Sequence, residues 1–245
     1  MKLKILGSSS AGNSYILENE KEALLIECGV RWPKIKKALD FKLEKVAGCL
    51  LTHEHMDHAL SIGHLLGAGI NVYGSYGTIR QLGYEKHHRA RVVDNQPFQV
   101  GSFKVMAFDV KHDCADPVGF LIEHEETGLI LFLTDTYFVP YKIDGLNNVL
   151  VEANYCQEIL DQRLASGKGH SFLRDRVLSS HMSLATCKEM LRANDLTGVN
   201  NIILIHLSDS NSDEERFVRE VAELTGKTVK AARAGMEMEF NKTPF

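Results

Sequence analysis

The segment Thr52-His53-Glu54-His55-Met56-Asp57-His58 places three imidazoles and the Asp57 carboxylate within six residues, with Glu54 a second carboxylate between the first two histidines. These side chains, neutral imidazole nitrogen and carboxylate oxygen, are the usual ligands of borderline divalent cations. The segment follows the apolar run Val46–Leu51 directly, so a buried strand is expected to end where the histidines begin. In extended backbone, side chains two residues apart point the same way, which aims His53 and His55 at one centre. Asp57 and His58 open a helix. Consecutive helical residues diverge by about 100°, so those two suit a second ion beside the first better than one shared face. A His-rich exposed loop or a capped helix start is the bland alternative.

Further donors recur in the same setting. His112 follows the strand-like run Phe103–Val110, Asp135 follows Leu129–Thr134, and His206 ends the run Asn201–Ile205. Taken singly, an aspartate after a strand is more often a turn or helix-capping residue. Taken together, donors at several strand ends can converge on one open rim and hold two ions.

The order HxHxDH, then His, then Asp, then a late His resembles the metallo-β-lactamase superfamily, over nearly the whole chain. The resemblance implies an α/β fold, the metallo-β-lactamase αβ/βα four-layer sandwich, with its site at the rim between two β-sheets. It implies one metal on His53, His55 and His112 and a second on Asp57, His58 and His206, with Asp135 bridging. Within the superfamily the chain resembles the YycJ/WalJ exonuclease branch. The supporting stretches are Gly7-Ser8-Ser9-Ser10-Ala11-Gly12-Asn13-Ser14, His112-Asp113-Cys114-Ala115-Asp116-Pro117, Val151-Glu152-Ala153-Asn154, His181-Met182-Ser183 and His206-Leu207-Ser208. Three departures stand out. Glu27 replaces a usual Asp as an outer carboxylate, Tyr137 stands where relatives often carry Gly, and the segment after His206 matches only in part. Asp135 in place of a Cys counts against one type of lactamase. His55 in place of a Glu counts against the di-iron oxygen-reducing branch.

The implied cofactors are two divalent metal ions, Zn²⁺ or Mn²⁺, with Fe compatible. Two such ions can hold a bridging hydroxide near neutral pH and offset charge on a phosphoryl group. The catalytic set expected is Asp57, Glu152 and His181. In related phosphodiesterases a Glu and a His at similar stations relay a proton to the poor alkoxide leaving group. The alternative is that His181 caps the helix beginning near Ser183, with Glu152 in a salt bridge at the rim. The function expected is a phosphodiesterase, a DNA exonuclease working 5′ to 3′ on single-stranded ends. The partners are nucleic acid ends or a small phosphodiester. A thioester or lactone hydrolase of the glyoxalase II type is the rival, because it shares the metal set and needs no relay. A non-enzymatic, metal-stabilised module is a third reading.

The remaining sequence sets the frame for these side chains. The 245 residues are 44% hydrophobic and 24% charged, with a formal net charge of -4, which excludes disorder and a strongly cationic overall field. No apolar run approaches a membrane span. Five scattered cysteines without a CxxC read as reduced thiols in a cytoplasmic protein. With no linker and no internal repeat, residues 1–245 read as a single domain. Hairpins are expected at Ser14–Cys28 and Val118–Thr134, and helices at His58–Leu66, Glu158–Leu164, Ser183–Ala193 and Asp213–Thr225. The Gly7–Asn13 loop can cradle a phosphate or simply turn the chain. Lys86–Arg91 reads as a solvated basic loop before a nucleic-acid contact. Gln162–Ser180, with Arg163, Lys168, His170, Arg174 and Arg176, reads as a long loop that either guides phosphates or lies idle on the surface. His64 and His124 are expected to be structural. The intervals from His112 to Asp135 and from Asp135 to His206 are too short for the added nucleic-acid arms and domains of larger superfamily nucleases, so substrate grip must come from the core's own loops or an oligomer.

Overall fold

The computed structural model describes residues 1–167 and 171–244. Fourteen strands, numbered in chain order, form two sheets. The first sheet holds β1 (Lys2–Gly7), β2 (Ser14–Glu18), β3 (Ala23–Ile26), β4 (Val46–Leu50), β5 (Val72–Gly74), β6 (Ala90–Val92) and β14 (Met236–Glu239), in the order β14-β1-β2-β3-β4-β5-β6. The second holds β7 (Phe98–Val100), β8 (Phe103–Asp109), β9 (Val118–His124), β10 (Gly128–Leu133), β11 (Leu146–Glu152), β12 (Asn201–Ile205) and β13 (Thr228–Ala231), in the order β13-β12-β11-β10-β9-β8-β7. Each sheet is antiparallel at one end and parallel at the other: β3 to β6 run parallel, as do β10 to β13.

Alternation along the strands builds the layers. Leu24, Ile26 and Leu50 of the first sheet meet Phe120, Phe132, Leu150 and Ile203 of the second in the central core. Their sequence neighbours Ala23, Leu25 and Cys49 point outward, against Ile35 of α1 (Trp32–Ala38) and Leu65 of α3 (Ile62–Gly67). On the far side, Val149, Val151, Ile202 and Leu204 pack under α7 (Leu184–Ala193) and α8 (Glu214–Thr225). Strands buried on both faces read as continuous apolar runs because helices cover the outer side. The result is a four-layer αβ/βα sandwich, as the resemblance implies.

Parallel neighbours put their C-terminal ends on one edge, so Glu27, Thr52-His53, Asp135, Glu152 and His206 leave the two sheets on the same rim. Val118 N–H donates to the Thr52 carbonyl at 3.1 Å and ties the sheets together there.

Several elements differ from the sequence expectation. The helix expected over His58–Leu66 is two short helices, α2 (Met56–Ala59) and α3. They break at Ser61, whose hydroxyl donates to the Val30 carbonyl and whose N–H donates to the Cys28 carbonyl. The connection Gln162–Ser180 is not a long loop. It carries the end of α5 (Gln157–Ala165), which matches the helix expected at Glu158–Leu164, and all of α6 (Ser171–Ser180), which was not expected because it has no marked apolar stripe. The short helix α4 (Tyr76–Gln81) and the short strands β6 and β13 were also not foreseen.

Candidate metal centre and active site

The turn from β4 into α2 carries four of the expected ligands. His53 Nε2 lies 3.1 Å from His55 Nδ1, and His112 Nε2 lies 3.2 Å from the same atom. Three imidazole nitrogens thus face one another. A tetrahedral centre about 2.1 Å from each nitrogen would set them about 3.4 Å apart, close to the observed spacing. Asp57, His58 and His206 form a second group, with Asp57 Oδ2 3.3 Å from His58 Nε2 and 3.5 Å from His206 Nε2. Asp135 stands between the groups: its Oδ2 is 2.6 Å from His58 Nε2 and 3.7 Å from His53 Nε2, and its Oδ1 is 3.3 Å from His206 Nδ1. All seven expected ligands therefore meet in one cluster.

Buried polar atoms test whether cations suit the cluster. Neither carboxylate oxygen of buried Asp135 makes a well-formed hydrogen bond, nor does His206 Nε2. Such atoms are costly to bury unpaired, and a cation between them would satisfy all three. The nitrogen–carboxylate donor set, without thiolate, suits divalent ions of the zinc and manganese kind. The fit is good.

Local backbone has been bent to aim these groups. Glu27, Asp135 and His206 have φ of 64°, 47° and 54°, left-handed values that non-glycine residues rarely adopt. Each comes at or just past a strand end, and each such residue costs roughly 1–2 kcal/mol. Side chains that sequence reading did not single out hold the ligands in place. Asn13 lies with Nδ2 3.1 Å from His58 Nε2, and its N–H donates to the Asp57 carbonyl at 2.7 Å. Asn154 Nδ2 donates to the His206 carbonyl at 2.8 Å. Ser8 Oγ accepts the His206 N–H at 2.9 Å and pairs with the Tyr15 hydroxyl. Thus the Gly7–Asn13 loop positions ligands, although Ser10 also lines the cavity. At Gly29 any Cβ would run into the Asp57 carbonyl. The sequence hints of these roles were the small-residue and Asn content of that loop and the Val151-Glu152-Ala153-Asn154 stretch. Glu27, expected as an outer carboxylate, is fully buried with Oε2 3.5 Å from His58 Nδ1.

Glu152 and His181 form the second feature. Glu152, at the end of β11, is buried, and its Oε2 accepts the N–H groups of Thr136 and Met182 at 3.0 and 3.1 Å. Its Oε1 is 2.7 Å from His181 Nδ1. The helix-capping alternative for His181 does not hold: α7 is capped by Ser183, whose Oγ accepts the Thr186 N–H at 3.0 Å. His181 Nδ1 is also 3.1 Å from Asp135 Oδ1, and the ring stacks on His206 at 5.3 Å. Burial works against a charged His181, but Glu152 and Asp135 outweigh it and push its pKa up to about 10. The same contest lifts His206 to about 9. His53 moves the other way, well down, because burial and the neighbouring His58 both oppose charge.

The cavity beside the cluster is about 390 Å³ and is lined by His55, Asp57, His112, Asp135, His181 and His206, among others. A larger cavity of about 530 Å³ lies on the other side of the Ser8–Gly12 loop and contains none of the expected ligands. His64 stacks on Trp32, and His124 faces the Ser102 hydroxyl, so both are structural. The Lys86–Arg91 run leads into β6 at the edge of the first sheet and does not line the cavity by the cluster. Of the basic residues in the second connection, Arg176 lines that cavity, Arg174 does not, and Lys168 and His170 lie outside the described residues.

Residues 24–207 match the Beta-lactamase superfamily domain. The chain belongs to the beta-lactamase superfamily. It is a metal-dependent hydrolase of that family, and a curated relative is 31% identical over 242 residues, 91% of this chain and 86% of the relative: the exodeoxyribonuclease WalJ of Streptococcus pneumoniae. The exodeoxyribonuclease YycJ of Bacillus anthracis is 26% identical over 204 residues, 73% of this chain and 76% of its own. Among solved structures, the metallo-beta-lactamase fold protein YhfI of Bacillus subtilis superposes with a TM-score of 0.74 at 18% identity, covering 97% of this chain and 98% of its own. The two exodeoxyribonucleases support a nuclease reading within the superfamily, and YhfI shows the shared fold.

Proposed function

We propose that this protein is a dinuclear metal-dependent phosphodiesterase, a DNA exonuclease acting 5′ to 3′ on single-stranded ends. The observation that carries the reading is the Glu152–His181 pair, 2.7 Å apart beside the histidine cluster. A thioester hydrolase expels a thiolate and has no need of it; an alkoxide from a nucleic acid backbone does. The names of the WalJ and YycJ relatives support the exonuclease assignment, and direction and strand preference follow the branch resemblance.

In this reading His53, His55 and His112 would hold one ion, Asp57, His58 and His206 would hold the other, and Asp135 would serve both. The ions, when bound, supply a nucleophilic water at neutral pH and offset phosphoryl charge. The chain's own residues do the rest. Glu152, fixed by two backbone N–H donors, holds His181 Nδ1 and sets the ring. The other ring nitrogen, Nε2, is then free to give its proton to the departing oxygen. Asp57 serves both the ligand set and the catalytic set, because Oδ2 lies between His58 and His206. Tyr137 and Phe138, 43% and 52% exposed, lie two and three residues after Asp135. They offer π-faces on which unpaired bases stack whatever their sequence, and Tyr137 N–H is anchored on the Lys111 carbonyl next to His112. Residues 1–245 work as one catalytic domain. Among the described residues no helix is long and apolar enough to cross a membrane; with five free cysteines, a cytoplasmic setting suits the chain.

The test is hydrolysis of 5′- and 3′-labelled single-stranded oligonucleotides and of bis(p-nitrophenyl) phosphate, with Zn²⁺ and Mn²⁺ compared and Asp135→Ala as control. Mononucleotide release from the 5′ end, lost in the control, is expected. No phosphodiester cleavage by protein with two ions bound per chain would transfer the assignment to the thioester or lactone rival.

A further inference from the structure

A phosphodiester substrate is an anion, yet the side chains around the site are mostly carboxylates and imidazoles. Among the described residues lining the cavity there is a single lysine or arginine, Arg176. It projects from α6, which also reaches the metal cluster directly: the Ser180 carbonyl at the end of the helix is 2.8 Å from His112 Nδ1. Arg176 Nε donates to Asp113 Oδ2 at 3.1 Å, and the other oxygen of Asp113 is 3.3 Å from His112 Nε2. The guanidinium is thus held by its Nε edge, one residue from an expected ligand. Its two Nη groups have no protein partner among the described residues, and the side chain is 56% exposed. Arg174, two residues earlier, is spent differently: Nε and Nη2 lie 3.3 Å from Asp161 Oδ1, and Nη1 lies 3.5 Å from Asp175.

We propose that Arg176 is the phosphate-binding side chain of this site: Asp113 orients its guanidinium, and its free Nη edge takes a backbone phosphate of the nucleic acid strand. A planar fork matches two phosphate oxygens, which an ammonium does not. The tether also removes part of the side-chain entropy that an unheld arginine would lose on binding. Arg176 makes no contact with the expected ligands except through Asp113, so it governs substrate grip and not the ions. The proposal rests on the phosphodiesterase reading.

The test compares wild type with Arg176→Ala, Arg176→Lys and Arg174→Ala. Steady-state cleavage of a single-stranded oligonucleotide is measured with metal content, and anisotropy binding of a hydrolysis-resistant phosphorothioate oligonucleotide is followed across a salt series. For Arg176→Ala, KM and Kd are expected to rise 10–100-fold, with kcat within about threefold, two ions retained, and the log Kd against log salt slope smaller by about 0.7 for a single strand. Arg176→Lys should recover the salt slope but only part of the affinity. Arg174→Ala should match wild type. Unchanged KM and Kd in Arg176→Ala, beside an active wild type, would overturn the proposal alone. A fall in kcat with loss of an ion would also overturn it, since Arg176 would then serve the cluster through Asp113 and His112. A wild type that cleaves no phosphodiester would instead refute the reading beneath it.

Discussion

Replacing His181 with alanine isolates the proton relay from the metal cluster. The ring engages Glu152 Oε1 at 2.7 Å and Asp135 Oδ1 at 3.1 Å through one nitrogen. Glu152 and Asp135 favour its protonated form, the one that can give up a proton. A positioned acid typically contributes 10²–10⁴-fold, about 2.7–5.5 kcal/mol of barrier. The fold should survive the loss. Glu152 keeps both backbone donors, Thr136 and Met182, so the buried carboxylate retains hydrogen bonds, and the stability cost stays within the ~1–3 kcal/mol of a disturbed buried polar group. The assay sets an oligonucleotide, whose alkoxide needs a proton to leave, against bis(p-nitrophenyl) phosphate, whose phenolate does not. His181→Ala should lower kcat ~10²–10⁴-fold on the first and less than ~10-fold on the second, with both ions retained. An equal fall on both substrates, or loss of an ion, would refute the relay and make His181 a ligand or a support for one.

Glu152→Gln should reproduce most of the His181→Ala defect, and the double variant should be no worse than the worse single one, because the two act as a unit; additive defects would separate them. Phe138→Ala and Tyr137→Ala should each raise the oligonucleotide KM by roughly 5–100-fold, from a stacking energy of about 1–3 kcal/mol per base, and leave bis(p-nitrophenyl) phosphate kinetics alone. Unchanged oligonucleotide KM values would remove the aromatic platform. Protein stripped of ions should be most stable near neutral pH. His181 and His206 have raised folded pKa values, so their contribution is full below about 6.5 and is lost as pH climbs through about 9 to 10. His53 and His112 have lowered ones, so stability also falls as pH drops below about 6.5. Melting temperatures from pH 5 to 10, with and without Zn²⁺, check both limbs; a flat alkaline limb in the stripped protein would count against the Glu152–His181 pairing.

Much of this molecule was legible without coordinates wherever a local period carries the information. Alternation in β3 and β4 places Leu24 and Leu50 inward and Leu25 and Cys49 outward, and the His53–His55 pairing follows from the same period of two. The expected ligands from distant strands meet because β10, β11 and β12 run parallel and β8 runs the same way across antiparallel β9, so all end on one rim, which the apolar runs before His112, Asp135 and His206 already suggested.

Other features depend on residues far apart in the chain, and no local pattern announces them. Asn13 and Asn154 look like ordinary turn residues until the fold sets them on His58 and His206. Helix α6 hides because its sequence has almost no apolar stripe, and its contact with the cluster is made by the Ser180 carbonyl, which no side-chain pattern announces. Arg174 and Arg176 are equivalent on paper. Two positions along a helix turn the side chain by about 200°, and that rotation gives Arg174 to Asp161 and Arg176 to the cavity. The sequence by itself determined the donor types, the strand ends that bear them and the layered architecture, since these follow from composition and short periods. Tertiary structure alone decided which nitrogen faces which oxygen, which cation faces the substrate, and where the backbone must bend to bring them together.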